Sequence, residues 1–245
     1  SADTAKPPPA EPPVAESPSE SPTPPSEDAK PSADSPKPLI SDADVERLLK
    51  EAVDMESLEE RDDLYYQPNE SEPFSGWAKT MSDSEYGKGL TQFKDGKPDG
   101  LHTQWHGNGQ KWLEGTFKDG EPDGPFTQWY GNGQKEMKGT AKDGNEDGLA
   151  TYWYENGQKE SEGTFKDGEK VGLQTKWYEN GQKKEEETYK NGNADRLQTK
   201  WHENGQKKEE RTFKDGIPDG LWAAWHENGQ KQAEWSFRDG RELSA

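Results

Sequence analysis

The chain of 245 residues has no cysteine, no glycine before position 76 and only 26% apolar residues. Without cysteine there is no disulfide, no thiolate nucleophile and no cysteine-ligated zinc, and the redox compartment cannot be read. Ordinary globular domains carry roughly 45–50% apolar residues with glycine counted, so a thick core is excluded and whatever folds must be thin. Acidic residues outnumber basic ones 50 to 31, for a net charge of −19. That balance argues against a nucleic-acid surface, which needs excess lysine and arginine, and disfavours electrostatic docking on anionic lipid. No apolar run approaches the roughly 18 residues of a membrane-spanning helix.

What is present is distributed unevenly. Residues 1–38 hold 12 of the 18 prolines, and all 26 glycines lie at Gly76 or later. The stretch 1–40, rich in Pro, Ser, Ala and Glu, cannot bury enough surface to offset its conformational entropy and is expected to be a disordered tether. The chain begins at Ser1, and such tails often follow a signal peptide or lipid anchor in exported bacterial proteins. We therefore expect a bacterial envelope or exported location over the cytoplasm, with membrane contact only through an upstream anchor. Ser41 is then a candidate N-cap before acidic Asp42 and Asp44. Val45, Leu48, Leu49, Ala52 and Val53 follow at helical spacing, which predicts an amphipathic capping helix over 41–62 and a lead-in strand over 63–75.

From Gly76 the chain repeats every 24 residues, giving seven units over 76–243. Trp recurs at Trp105, Trp129, Trp153, Trp177, Trp201 and Trp225, and an Asn-Gly-Gln-Lys turn follows each. An aromatic precedes a second turn at Phe93, Phe117, Phe165, Tyr189, Phe213 and Phe237, with Ala141 the exception. Glycine opens most units, with Arg196 the departure, and the first unit is degenerate, with Met81 in the Trp column and Ser84-Glu85 in place of Asn-Gly. Asn-Gly and Asp-Gly between alternating residues are strong hairpin signals because both residues tolerate positive φ. Each unit therefore reads as two short strands and two tight turns. A three-residue loop at each turn puts the odd-numbered residues, with the Leu, Trp and Phe/Tyr columns, on one face. The polar residues and the ring column His106, Tyr130, Tyr154, Tyr178, His202 and His226 fall on the other. The expected fold is all-β, an elongated single-layer antiparallel meander of tandem hairpins, preceded by one short helix and a disordered Pro-rich tail.

The pattern G-x-x-T-x-W-Y-x-N-G-Q-K followed by G-T-F-K-D-G-x-x-D resembles the bacterial variant of the membrane occupation and recognition nexus (MORN) repeat, associated with antitoxin components of toxin–antitoxin systems. Asp63-Leu64-Tyr65-Tyr66 and Pro73-Phe74-Ser75-Gly76-Trp77 resemble the lead-in to such arrays. The resemblance implies an elongated β-meander and a role in protein interaction or scaffolding; fold likeness alone does not transfer function.

No catalytic constellation stands out, because every polar residue is a member of a column. His102 and His106 lie four residues apart on a strand, about 13 Å, too far for one metal. Asp pairs such as Asp95 with Asp99 supply too few oxygens for calcium. We expect no enzyme activity, no metal and no cofactor. The expected role is a non-enzymatic protein-interaction or structural scaffold, its partner an unidentified protein or a second copy of the chain. A glycan or cell-wall module using the Trp ladder is the first alternative, and lipid-surface or antitoxin-type binding the second. Candidate partner-binding residues are Trp105, Trp129, Trp153, Trp177, Trp201 and Trp225 with Tyr130, Tyr154 and Tyr178. Trp112 and Trp222, with Phe126, fall outside the apolar face and are secondary candidates.

Overall fold

A computed structural model describes residues 40–81 and 87–243. The expected tether and the Ser84-Glu85 departure lie outside the described residues. Helix α1 (Asp42–Glu51) starts as its cap chemistry dictates, with the Ser41 hydroxyl accepting from the Asp44 amide at 3.2 Å. It ends at Glu51 and does not continue to 62. Next come β1 (Val53–Asp54), a 3-10 turn at Met55–Ser57, β2 (Glu59–Arg61) and β3 (Leu64–Tyr66). Tertiary packing overrides the helical pattern here. Val53, Met55 and Leu58 pack against Phe74, Ala78 and Phe93, on the side of the sheet away from α1. The lead-in strand is likewise short. Asp62 and Asp63, both at positive φ, turn β2 back onto β3, and strand structure stops at Tyr66.

The long sheet runs through β4 (Gly76–Met81), β5 (Lys88–Lys94), β6 (Lys97–Trp105), β7 (Lys111–Lys118), β8 (Glu121–Trp129) and β9 (Lys135–Lys142). It continues through β10 (Asn145–Glu146), β11 (Gly148–Trp153), β12 (Lys159–Lys166), β13 (Glu169–Trp177) and β14 (Lys183–Lys190). The last strands are β15 (Asn193–Ala194), β16 (Arg196–Trp201), β17 (Lys207–Lys214), β18 (Ile217–Trp225), β19 (Lys231–Arg238) and β20 (Arg241–Glu242). With β1 this is one 18-stranded sheet of tandem antiparallel hairpins. The sheet is mixed, because β1 adds to β4 in parallel.

Register decides which side chains share a face, since residues directly opposed on paired strands point the same way. The Asn-Gly turn is a three-residue loop: the Gly181 amide bonds the Tyr178 carbonyl, Gly181 is at φ 82°, and Trp177 opposes Lys183. One residue further Lys176 opposes Glu185, so Lys184 is a bulge. The second turn is a two-residue loop, with Asn191 and Gly192 both at positive φ, and not the expected three-residue one. Each of these features shifts the alternation by one residue, and a one-residue shift moves every following side chain to the other face. Over 24 residues the shifts cancel, so columns stay aligned, but the Phe/Tyr column lands opposite the Trp and Leu columns. Leu149 opposes Thr164 and Thr151 opposes Glu162 on the Trp face, whereas Gly148 opposes Phe165 and Ala150 opposes Gly163 on the Phe face. The expected grouping of Leu, Trp and Phe/Tyr on one side is thus corrected.

At its N-terminal end the sheet is covered on both sides. Val45 and Leu48 of α1, with Ala52 just after it, bury Leu90 and Trp105 on the Trp face, and Ile40, Leu49 and Trp77 pack around them. Lys79 Nζ donates to the Leu49 carbonyl at 3.2 Å, satisfying a helix-end acceptor. On the Phe face, Phe93 lies under Tyr65 and Phe74 at ring distances of 5.5 and 5.8 Å.

Two stability predictions follow from local chemistry. Arg196 stands at φ 72° where most units have glycine. Arg196→Gly should therefore stabilise the chain by roughly 0.5–1 kcal/mol in urea unfolding; a destabilised variant would contradict the strain. His102 is half-buried on the Phe face, its Nδ1 2.8 Å from the Thr91 hydroxyl and its ring 5.2 Å from Phe117. Burial holds its pKa below the ordinary 6.5. The fold accommodates the neutral ring, so this contribution is complete above about pH 6.5 and declines as the unfolded chain takes up a proton below it. His102→Gln, the residue at Gln174 and Gln198 in the same column, should flatten the acid side of the stability–pH profile between about pH 7 and 5.

Candidate interaction surfaces

The turns that define each unit also tie it to the next. Tyr130, Tyr154 and Tyr178 donate their hydroxyls to the carbonyls of Trp153, Trp177 and Trp201 at 2.7–2.8 Å. His106 and His202 place Nε2 at 2.9 and 3.0 Å from the carbonyls of Trp129 and Trp225. A carbonyl only accepts, so Nε2 carries the proton, which explains why His and Tyr interchange in this column. Beside them Asn108, Asn132, Asn156, Asn180 and Asn204 donate to backbone carbonyls 23 residues ahead. At the second row of turns the glycine amides reach back, as in Gly120 to the Pro98 carbonyl and Gly144 to that of Pro122. Burial first, then nearby carboxylates, raise the phenol pKa of Tyr130 and Tyr154. The Tyr candidates are therefore inter-unit fasteners.

The Trp column meets a lysine column. Lys135, Lys159, Lys183 and Lys207 hold their ammonium groups 5.6–5.9 Å from the rings of Trp153, Trp177, Trp201 and Trp225. Each of three lysines also reaches a glutamate three residues on, in Lys159–Glu162, Lys183–Glu186 and Lys207–Glu210, all at 2.6 Å. Lys111–Glu114 and Lys231–Glu234 repeat the pair. Buried Thr103, Thr127, Thr151, Thr175 and Thr199 fill the line between the glutamates. Trp129, Trp153, Trp177, Trp201 and Trp225 are half-buried in this lattice, whereas Trp105 is only 5% exposed beneath α1. In the first unit Leu90 occupies the glutamate position, and this is where the helix docks. Lys138 is the other departure from that column.

The secondary candidates separate. Trp112 is the bulged residue of β7 and half-buried. Trp222 lies on the Phe face, edge-to-face with Trp235 and tilted against Phe237 at ring distances of 5.8 and 5.3 Å, with its Nε1 donating to Glu209 at 2.7 Å and Arg211 4.0 Å above its ring. Phe126 is half-buried on the same face, opposite Gly139. In the middle of that face Lys176 and Lys200 lie 3.1 and 3.4 Å from Glu185. Burial raises the Glu185 pKa, and the two lysines more than offset it, holding the carboxyl below its usual range.

Sequence reasoning grouped the leucines with the tryptophans on one face, and there they stand. Leu149, Leu173, Leu197 and Leu221 are 57, 55, 49 and 44% exposed, in line on the Trp face. Among the described residues no group of three or more His, Asp or Glu is placed to hold a metal. As fasteners, the tyrosines should act on stability: Tyr154→Phe should cost about 1 kcal/mol in chemical unfolding, and an unchanged midpoint would count against the inter-unit bond.

Comparison with curated proteins returns no match. Five segments match the family model of the MORN repeat variant: residues 98–119, 146–167, 170–191, 197–215 and 218–239. Each matched segment spans the strand, Asn-Gly turn and returning strand of one hairpin, and residues 120–145 between the first two lie outside the match. Five hairpin segments of the sheet are accordingly similar to the MORN repeat variant.

Proposed function

We propose that this chain is a non-enzymatic scaffold that seats a partner protein along the Trp face. MORN repeats are in general protein- and membrane-interaction repeats. The observation that carries the reading is the exposed row Leu149, Leu173, Leu197 and Leu221. Four large apolar side chains recur at a two-strand interval of about 9.6 Å on a face that, among the described residues, is covered by the helix at its N-terminal end. An extended apolar stripe of this kind marks an interface. The N-terminal end supplies a precedent, since an amphipathic helix already rests there.

What favours protein over sugar is the occupancy of the Trp rings. A stacking sugar needs a ring face, and the lysine stems and ammonium groups lie over these faces and are anchored by the glutamates. What favours protein over anionic lipid is the charge, since these lysines are paired and the chain as a whole is at −19.

The test is affinity capture from native-source lysate with cross-linking and mass spectrometry, comparing the parent with Leu173→Asp/Leu197→Asp. Both positions are exposed, so the variant should keep its fold and melting profile. Capture should fall at least tenfold, with parent cross-links on Lys159, Lys183 and Lys207. Undiminished capture by the folded variant would remove this face from consideration.

A further inference from the structure

The aromatic column of the Phe face holds a ring at Phe93, Phe117, Phe165, Tyr189, Phe213 and Phe237, and a methyl group at Ala141. At that gap lies a cavity of about 250 Å³ walled by Phe117, Pro122, Phe126 and Leu113, with Ala141 and Gln128 also lining it. Four units further on, the corresponding walls are Phe213, Pro218 and Trp222, and the cavity there is about 110 Å³. Three residues are larger there: Phe237 stands in place of Ala141, Arg211 in place of Gly115 and Trp222 in place of Phe126. The fold therefore shows the same site in two states of filling. Glycine opposite Phe126 makes room for that wall, since a Cβ at Gly139 would stand 3.0 Å from Phe126 Cζ.

The chemistry of the lining selects the occupant. The Thr116 hydroxyl already donates to the Asp123 carbonyl at 2.5 Å, and Glu146 already accepts from the Tyr152 hydroxyl at 2.6 Å. Apart from Gln128 the remaining walls are apolar and aromatic, and such a space accepts a ring in edge-to-face or offset contact. The two bordering turns, 118–123 and 142–147, carry two lysines against six carboxylates. A positive charge beside the ring is therefore favoured at the rim.

We propose that this gap is a binding site for a Phe or Tyr side chain flanked by basic residues, presented by an extended segment of a partner protein. The inference rests on the scaffold reading and names one element of the partner. The full chain is titrated calorimetrically with the peptides Gly-Lys-Phe-Lys-Gly and Gly-Lys-Ala-Lys-Gly. The Phe peptide should bind with a Kd below about 1 mM, and the Ala peptide at least tenfold more weakly. Ala141→Phe restores the column and should abolish binding while melting no lower than the parent; Ala141→Leu serves the same purpose if the larger ring fails to fold. Absence of saturable binding, equal binding of the two peptides, or undiminished binding by the folded filled variant would each overturn the site. Those outcomes leave the scaffold reading untouched, because that reading is tested on the opposite face by the Leu173 and Leu197 substitutions.

Discussion

A one-layer sheet has no second layer against which to bury either face, so its order must come from neighbours along the ribbon. This constraint accounts for most of what the repeat contains. Ring hydroxyls and imidazoles reach the next tryptophan carbonyl, turn asparagines reach the next loop, and glycine amides of the second turn reach back one unit. Each bond contributes on the order of 1 kcal/mol. Together they convert two rows of hairpin turns into two continuous seams, and the alternating Trp, Lys and Glu columns add a third line of contact between them. Charged residues here do the lateral work that a buried core does elsewhere. A composition with 26% apolar residues is therefore compatible with a fully ordered sheet.

The ends of such an array need separate treatment, since a terminal unit lacks a neighbour on one side. At the N-terminal end the chain supplies both covers, α1 over Leu90 and Trp105 and the Phe74 segment over Ala78 and Phe93. The helix docks at the hairpin where leucine replaces the glutamate of the lysine–glutamate pairs. At Glu114, Glu162, Glu186 and Glu210 a docked apolar helix would strand a charge away from water, a cost that no apolar contact there offsets.

Polar groups that recur in every unit are committed to holding the units together. What the seams leave over is the row of exposed leucines on the Trp face and departures from the repeat such as the ring missing at Ala141. These are the two surfaces proposed for another protein, on opposite sides of the sheet, and neither uses the tyrosines that the column pattern first suggested.

The 24-residue period, the hairpins at the Asn-Gly turns and at Asp-Gly turns such as Asp95-Gly96, the N-cap at Ser41 and the ring missing at Ala141 are all legible in the residues. They depend on local chemistry: positive φ at turns, side-chain acceptors at a helix start, and column membership. The face on which each column stands was not legible. A one-residue bulge at Lys184 and its equivalents, and a two-residue second turn, are set by hydrogen bonding between strands, and each inverts the alternation that a strand pattern assumes. The end of α1 at Glu51 was hidden for a related reason. Val53, Met55 and Leu58 continue a plausible helical stripe, and only the presence of Phe74, Ala78 and Phe93 on the opposite side of the sheet draws them out of it. Sequence alone thus determined the units and their turns, because those are local. Tertiary structure alone decided which leucines meet solvent and which tryptophan is covered, because both depend on register between strands and on what packs across them.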